Sequence, residues 1–255
     1  MTALIFDCDG VLADTERHGH LPAFNQTFEE FGLPVRWSED DYGVALGIGG
    51  GKERMASLLT PDLVATAGLP HDREGQLAIV AEWHRRKTEI YIEMVEAGRL
   101  PARPGIGRIV DAARRARWQL AVCSTSAEAS VRAILAHAVG LAAAGDFMVL
   151  AGDVVPRKKP APDIYLLALE RLGISSVEVI VVEDSRNGLL ASVEAGLATV
   201  VTVNDYTAQQ GFDEALLVVT SLGDPAGPRT EVVENRSKAT PGDYITLRDL
   251  AALLD

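Results

Sequence analysis

Short apolar runs bounded by turn residues alternate along the chain with longer stretches that have the apolar spacing of helices. The runs are residues 3–7, 119–124, 147–151, 179–183 and 198–203. Helical spacing between them is found at Ile109, Val110, Ala113 and Ala116, and again at Ile164, Leu167, Ala168 and Leu172. Such alternation is typical of repeated βαβ units around a parallel sheet. The sequence therefore predicts an α/β fold with a doubly wound parallel sheet.

One connection departs from this alternation, because residues 8–118 separate the first two strands. A single crossover helix needs far fewer residues, so the excess indicates an inserted domain. Phe24, Phe28 and Phe31 recur there at near-helical spacing, and residues 77–95 form a second helical pattern. We predict a core of residues 1–14 and 99–255, a helical cap domain of residues 15–98, and hinge strands at residues 12–14 and 99–104.

The last part of the chain changes in character. Residues 223–242 are polar and are interrupted by Gly and Pro, which indicates a surface loop. Residues 246–254, TLRDLAALL, have the pattern of a short terminal helix. We expect this helix to pack on the core.

Charge limits the partners that the chain can have. The 24 Lys and Arg against 36 Asp and Glu give a net charge of −12, spread along the sequence rather than collected in a tail. Nucleic acids and anionic membranes carry the same sign of charge, so neither is an expected partner.

Cysteine use and hydropathy bear on the compartment. Cys8 and Cys123 both lie in apolar runs, so no disulfide is expected and a reducing, cytoplasmic compartment fits. No run reaches the ~20 apolar residues that a membrane span needs, and the first strand begins so close to Met1 that we expect no signal peptide. We expect a cytoplasmic monomer or weak dimer.

Polar side chains stand where the predicted strands end. Asp7 and Asp9 come at the end of the first strand, Ser124, Thr125 and Ser126 at the end of the second, and Glu183 and Asp184 at the end of the fourth, while Lys159 follows the third on a loop. In a doubly wound sheet, ligands bind at the carboxyl ends of the strands. The sequence therefore predicts one site that contains four carboxylates, several hydroxyls and an ammonium group.

Carboxylates at this density repel one another, which indicates a hard divalent cation with oxygen ligands. Mg²⁺ is the expected ion, bound by Asp7, Asp184 and the backbone carbonyl of Asp9. The five His and two Cys show no spacing that suits zinc. A carboxylate such as Asp7 can also attack phosphorus and form an aspartyl phosphate, with Asp9 as general acid and base.

Four segments in this order resemble the motifs of the haloacid dehalogenase superfamily. They are DCDGV at residue 7, the strand that ends in Ser124, KKPAPDIY at residue 158 and VVEDSRNG at residue 181. The resemblance implies catalytic roles for Asp7 as nucleophile, Asp9 as acid and base, and Ser124 and Lys159 as phosphoryl ligands. It also implies that Glu183 joins Asp7, Asp9 and Asp184 in serving the metal. An acid/base at Asp9 favours phosphoryl transfer over dehalogenation.

The expected cap narrows the resemblance to the CbbY branch. The segments that carry it are DTER at residue 14, Phe24–Asn25, GGGKER at residue 49, KTE at residue 87 and RPG at residue 103, together with CSTS, AGDVVPRKKP and VVEDS in the core. CbbY proteins are phosphatases that remove the 1-phosphate of xylulose-1,5-bisphosphate. The resemblance implies substrate contacts from Glu16, Gly51, Lys52, Arg54, Lys87, Arg103, Thr125 and Ser126.

The glycine run at residues 49–51 also invites comparison with a phosphate-binding P-loop. Leu46 stands where the P-loop has its first Gly, Glu53 replaces its Ser or Thr, and no strand precedes it, so we set that interpretation aside. A second phosphate site at the cap cations Lys52, Arg54, Lys87 and Arg103 is the alternative that we retain, and the histidines His18, His20 and His84 are interpreted as surface or packing residues.

Three functions remain open on sequence grounds. The first is a phosphatase, and xylulose-1,5-bisphosphate is the substrate that the resemblance implies. The second is a phosphosugar mutase of the same fold, similar to β-phosphoglucomutase. The third is a phosphosugar-binding protein that has lost the chemistry, which the complete set of motifs disfavours.

Overall fold

A computed structural model describes residues 2–48 and 50–254. Its described residues form one seven-stranded sheet in the order β3-β2-β1-β4-β5-β6-β7. The strands are β1 (Ala3–Phe6), β2 (Gln119–Ser124), β3 (Phe147–Ala151), β4 (Val179–Glu183), β5 (Ala198–Thr202), β6 (Leu217–Val219) and β7 (Val232–Asn235). All neighbouring pairs are parallel except β6 with β7, which is antiparallel. The five strands predicted from the sequence are therefore confirmed as neighbouring strands of a doubly wound sheet, with β3 at its edge.

The same described residues form eleven α-helices. They are α1 (Leu21–Glu30), α2 (Glu39–Ala45), α3 (Gly51–Ala56), α4 (Pro61–Thr66), α5 (Arg73–Glu96), α6 (Ile106–Arg115), α7 (Glu128–Val139), α8 (Leu141–Ala144), α9 (Asp163–Leu172), α10 (Arg186–Glu194) and α11 (Leu247–Ala251). A π-helical turn, Glu16–His20, precedes α1, and a 3₁₀ turn, Ser176–Glu178, precedes β4.

The chain divides into two compact units, Met1–Asp14 with Leu100–Asp255 and, between them in sequence, Thr15–Arg99. The cap boundary expected from the sequence lies one residue earlier, at residue 98. The predicted hinge segments are joined within the first unit, where Ala13 and Ala102 form an antiparallel bridge. Arg103 N also donates to Leu12 O at 3.0 Å.

Alternate residues of the central strands define the core of the first unit. Ala3 and Ile5 of β1 lie in one buried cluster with Val181 of β4 and with Ile164 and Ala168 of α9. Period-2 side chains from parallel strands meet the apolar face of a helix in this way, and both faces of the sheet are then buried. The sheet can therefore be apolar along its length and polar only where its strands end.

Aromatic side chains hold the second unit together. Phe24 and Phe28 of α1 pack against Trp37, with ring centroids 5.1 and 5.0 Å apart, and Tyr42 of α2 lies 5.8 Å from Trp37. All three partners Phe24, Phe28 and Tyr42 are fully buried. The helix predicted from the phenylalanine spacing is therefore present, with Phe24 and Phe28 on the buried face of α1, whereas Phe31 follows its last residue.

The prediction of a loop over residues 223–242 is wrong at its centre, because β7 occupies Val232–Asn235. The strand pairs with β6, which would otherwise be the open edge of the sheet, and its valines suit a strand. Its four residues are exposed, which explains why the sequence shows no apolar alternation there. The terminal helix is present as α11. No described helix has the length and apolar character that crossing a membrane requires.

Candidate active site

The carboxyl ends of the three central strands bring the predicted core residues together. Asp7 directly follows β1, and its backbone N–H donates to Val182 O of β4 at 2.9 Å. Ser124 ends β2 and Glu183 ends β4, on the two sides of β1. Parallel neighbours end at the same edge, so the topology rather than any local motif makes these residues neighbours.

Lys159 lies at the centre of this edge. Its Nζ donates to Asp7 Oδ1 at 2.7 Å, to Glu183 Oε1 at 2.6 Å and to the carbonyl of Cys123 at 2.9 Å. The Lys159 side chain is 7% exposed and that of Glu183 is 0% exposed. Three bonds use the three donors of the ammonium group, so its orientation is fixed by the protein. Burial alone would lower the pKa of Lys159, but Asp7 and Glu183 outweigh it and hold that pKa well above its usual range.

For Asp7, unlike Lys159, the effect of burial outweighs the attraction of the opposite charge. Its side chain is only 13% exposed, and burial raises its pKa to about 7, against the pull of Lys159 and with added repulsion from Glu183 and Asp9. The ion pair with Lys159 therefore does not fully offset the loss of water. Further positive charge beside Asp7 would favour its ionised form.

The arrangement fits a divalent cation. Asp7, Glu183 and Asp184 each offer a carboxylate oxygen, and these oxygens lie within 4.8 Å of one another. The three carboxylates and the one ammonium of Lys159 would together carry two negative charges, which a divalent ion would balance. Oxygen ligands of this kind suit Mg²⁺. The side chain of Asp9 is not part of this cluster, which leaves its backbone carbonyl as the expected contribution of Asp9.

The hydroxyls at the end of β2 have separate partners. Ser126 Oγ donates to Asp9 Oδ2, so the predicted acid and base is held by a hydroxyl. Ser124 Oγ accepts the backbone N–H of Ser126 at 3.1 Å, which leaves its own O–H as a donor, and Ser124 is buried. Thr125, between them, is exposed.

Two residues at this edge were not predicted to have a role, although both stand inside the motifs. Tyr165 of α9 donates its hydroxyl to Glu183 Oε1, and its ring lies 4.9 Å from Lys159 Nζ. A Cβ on Gly188 of α10 would lie 2.0 Å from Glu183 Cδ. The glycine therefore makes room for the carboxylate that Tyr165 and Lys159 hold. The sequence did offer a signal for each residue, because Tyr165 ends the DIY segment and Gly188 ends the EDSRNG segment.

Arg103 belongs to the first unit and is half-buried there. Its Nη2 donates to Val203 O at 2.8 Å and to Thr220 O at 2.5 Å. These carbonyls directly follow β5 and β6, so the guanidinium ties two strand ends together. The sequence predicted a substrate contact for Arg103 and missed this structural one. Substrate binding by Arg103 stays a prediction.

The second unit holds the remaining predicted residues, and Lys87 of α5 is the one that is buried. Its Nζ lies 2.6 Å from His20 Nδ1, 4.6 Å from the ring centroid of Phe24 and 5.0 Å from that of Tyr91. His20 stacks on Tyr91 at 4.1 Å, in agreement with its interpretation as a packing residue. Since the ammonium can only donate, Nδ1 of His20 is the acceptor and its proton is on Nε2.

Glu16 and Arg54 are joined through Tyr42. The Tyr42 hydroxyl donates to Glu16 Oε2 and accepts from Arg54 Nη1 at 3.1 Å. Arg54 Nε donates to Ile48 O at 2.9 Å, which ties the segment before α3 to this network. Arg54 is therefore positioned by contacts on both sides of its guanidinium.

The glycine run leads into the exposed Lys52. Gly49 lies outside the described residues. Gly51 begins α3, and a Cβ there would lie 3.1 Å from the ring of His84. Burial lowers the pKa of His84 to about 4, with further lowering by Lys87 and Lys52, so His84 is neutral at neutral pH. The structure thus groups Lys52, Lys87 and a neutral His84 in one part of the second unit.

The chain is similar to known proteins in sequence and in fold. The model of the haloacid dehalogenase-like hydrolases matches residues 1–196. A CbbY-like protein of Arabidopsis thaliana is 44% identical over 231 residues, which are 91% of this chain and 72% of the relative. The plasmid-encoded protein CbbY of Cupriavidus necator is 41% identical over 257 residues, 99% of this chain and 95% of the relative. A crystal structure of a CbbY mutant from Rhodobacter sphaeroides in complex with xylulose-(1,5)bisphosphate is 36% identical, with a TM-score of 0.74, and covers 89% of this chain and 97% of that one.

Proposed function

Since this chain belongs to the haloacid dehalogenase-like hydrolase family and is a phosphatase of the CbbY type, we propose that it hydrolyses small phosphorylated sugars with Mg²⁺ through an aspartyl phosphate on Asp7. One observation carries the proposal. The Lys159 ammonium lies between Asp7 and Glu183 at the edge of the sheet where the carboxylates of Asp7, Glu183 and Asp184 converge. The site is anionic and largely buried, and the protein fixes the Lys159 ammonium within it.

Asp7 is the nucleophile in this proposal. Its carboxylate oxygen attacks phosphorus as the bond to the sugar oxygen breaks, which gives an aspartyl phosphate and the free sugar. Lys159 holds Asp7 Oδ1 and compensates charge, while the Ser124 hydroxyl is a donor available to a phosphoryl oxygen. Thr125 and Ser126 are also proposed to contact the substrate.

Asp9 moves the protons. In the first step its carboxylic acid protonates the leaving sugar oxygen, and in the second its carboxylate takes a proton from the water that attacks phosphorus and releases phosphate from Asp7. The bond from Ser126 Oγ fixes the Asp9 carboxylate for both steps. Two half-reactions with one residue as acid and then base leave the enzyme unchanged.

The proposed ligands for Mg²⁺ are Asp7, Glu183, Asp184 and the backbone carbonyl of Asp9. A bound divalent cation supplies charge that favours ionised Asp7 and offsets the charge of a phosphoryl group. The raised pKa of Asp7 is the reason that this charge is needed.

We propose xylulose-1,5-bisphosphate as the substrate. The proposal is supported by the crystal structure of the related CbbY with that molecule and by the cations of the second unit. A bisphosphate has a second dianionic end, for which Lys52 and Arg54, with Gly51, Lys87 and Arg103, are the proposed contacts. Glu16 is proposed as a further contact of the substrate. Arg can bind phosphate through two parallel bonds, and Lys provides a compact charge.

The test is phosphate release over a panel of mono- and bisphosphorylated sugars that includes xylulose-1,5-bisphosphate. We expect turnover with Mg²⁺, none after EDTA treatment, recovery with Mg²⁺ in preference to Zn²⁺, and the highest kcat/KM for the bisphosphate. Full turnover by thoroughly metal-free protein would contradict the metal dependence. Recovery of an isomeric sugar phosphate in place of free phosphate would identify a mutase, and binding without turnover an inactive binding protein.

A further inference from the structure

The loop that follows β5 places Asn204 against the carboxylate of Asp184. Asn204 Nδ2 donates to Asp184 Oδ2 at 2.8 Å. Asp184 is 6% exposed and is one of the three carboxylates that could hold a cation. Nothing in the sequence patterns pointed to Asn204, which lies beyond the last motif.

The orientation of the Asn204 amide is set by the loop itself. Its Oδ1 accepts the backbone N–H groups of Tyr206 at 2.9 Å and Thr207 at 3.2 Å. The backbone N–H of Asn204 in turn donates to Thr207 Oγ1 at 3.0 Å. An amide whose oxygen accepts two backbone N–H groups can present only its NH₂ group on the other side. The donor that faces Asp184 is therefore built into the turn.

Gly10 closes the other side of this pair. A Cβ on Gly10 would lie 2.0 Å from Asp184 Oδ2 and 2.9 Å from Asn204 Nδ2. Gly10 also has a φ of +73°, a conformation that other residues rarely adopt. The main chain of the DCDG turn thus packs directly on the Asp184–Asn204 hydrogen bond, which limits the ways in which the carboxylate can turn.

We propose that Asn204 is a positioning residue for the cation site, and that it acts through Asp184. By holding Oδ2, the amide fixes the plane of the carboxylate and so the direction in which Asp184 meets a divalent ion. A neutral donor suits this position, because a cationic side chain would compete with the metal for the same charge. The inference rests on the proposed function, since it takes the cluster to be a metal site.

The experiment measures metal binding without substrate. Isothermal titration of Mg²⁺ into EDTA-treated, dialysed protein should give a Kd about tenfold to a hundredfold weaker for Asn204→Ala than for the unaltered protein, the usual effect of removing an outer-shell partner. Thr207→Ala is the matched control, since it removes the hydroxyl that supports the turn but keeps the amide that faces Asp184. Its Kd should stay within about twofold of the unaltered protein.

Equal losses in both variants would overturn the inference, because the loop as a whole and not the amide would then matter. An unchanged Kd for folded Asn204→Ala would overturn it as well. If that variant does not fold, the side-chain NH₂ resonances of Asn204 in the unaltered protein decide, since they should shift with Mg²⁺ saturation and an unchanged position counts against the proposal.

Phosphate release by the unaltered protein separates this inference from the proposed function. Release with Mg²⁺, combined with no effect of Asn204→Ala on the Kd, would leave the phosphatase intact and remove Asn204 from the metal site. Mg²⁺ binding that depends on Asn204, with no phosphate release, would support the role of Asn204 and contradict the proposed phosphatase activity. Absence of Mg²⁺ binding by the unaltered protein would overturn both.

Discussion

The two units hold their buried ammonium groups in different ways. In the first unit, Lys159 donates to the carboxylates of Asp7 and Glu183, so its charge is compensated by the protein. In the second unit, Lys87 Nζ lies 2.6 Å from Nδ1 of His20 and over the faces of Phe24 and Tyr91. Aromatic faces attract a cation through the ring quadrupole.

The difference indicates that the two units contact different parts of a substrate. The first unit has more negative than positive charge at its sheet edge and suits a reacting group that arrives together with a divalent cation. The second unit brings Lys52 and Lys87 close to His84, whose pKa burial lowers to about 4, and suits an anion that does not react. Variants of the sheet edge should therefore affect every substrate, and variants of the second unit only substrates with a second phosphate.

Asp7→Asn tests the first half of this comparison. We expect kcat to fall by at least about three orders of magnitude for all substrates, because an amide cannot attack phosphorus as a carboxylate does. Steady-state phosphate release measures it, and circular dichroism checks the fold. The control is Asp153→Asn, which changes an exposed carboxylate in an ion pair with Lys158 and should leave kcat unchanged. Substantial activity in folded, purified Asp7→Asn would remove Asp7 as nucleophile.

Asp9→Asn should have a smaller effect on the same set of substrates. Loss of a general acid and base slows turnover by roughly a hundredfold or more, while the geometry of Asp7 is retained. The loss should be largest for sugar phosphates and smaller for para-nitrophenyl phosphate, whose leaving group needs less protonation. A variant with unchanged kinetics on both substrates would show that Asp9 does not move protons.

Lys52→Ala and Arg54→Ala test the second half. Each should lower kcat/KM for a sugar bisphosphate by about tenfold to a hundredfold, or roughly 1.4 to 2.7 kcal/mol of transition-state binding. Hydrolysis of para-nitrophenyl phosphate, which has no second phosphate, should change little. The matched control is Arg73→Ala, which removes an exposed cation at the start of α5 in the same unit.

Arg54 and Lys52 should differ in one respect. Arg54 supports Ile48 O and the Tyr42 hydroxyl, so its loss should also lower the melting temperature, whereas loss of the exposed Lys52 should not. Equal losses on both substrates would assign these residues to folding or to the sheet edge. No loss on either would mean that other residues bind the second phosphate.

The smallest effect concerns the pH dependence of stability without metal. The pKa of Asp7 is raised from 3.8 to about 7 by burial, with repulsion from Glu183 and Asp9 and against the attraction of Lys159. A group whose folded pKa is raised binds its proton more tightly in the folded state, so its contribution to stability is lost as the pH rises toward 7. In EDTA, the melting temperature of Asp7→Asn minus that of the unaltered protein should therefore increase by a few degrees between pH 5 and pH 8, on the order of 2–4 °C for each kcal/mol. A difference in melting temperature that stays constant with pH would show that the pKa of Asp7 is not raised in the folded protein. Addition of Mg²⁺ should abolish the increase.

The sheet-edge site could be predicted from the sequence because topology places it. Asp7, Ser124 and Glu183 are far apart in sequence, yet each ends a strand whose β-rich run is visible, and parallel strands end at one edge. What the sequence did not reveal is which groups hold these residues. Tyr165 and Asn204 reach their carboxylates from a helix and a loop, and no periodicity specifies such contacts.

The second unit was predictable as helices but not as a site. The phenylalanine spacing identified α1, whereas the proximity of Lys87 to His20 depends on how α5 packs on the segment before α1. Arg103 shows the same limit, since a lone Arg in a Pro-Gly motif gives no sign that two strand ends will use its donors. The loop prediction over β7 failed for a related reason, because an exposed edge strand has no apolar alternation.

The most direct measurement is rapid acid quench of the enzyme during turnover of a sugar phosphate with Mg²⁺, followed by mass spectrometry of the peptides. A phosphoryl adduct on Asp7 that appears within one turnover and disappears when substrate is exhausted is the result that we predict. An adduct on another residue would contradict the assignment of Asp7. So would phosphate release at full rate with no adduct in the Asp7 peptide under conditions that preserve acyl phosphates.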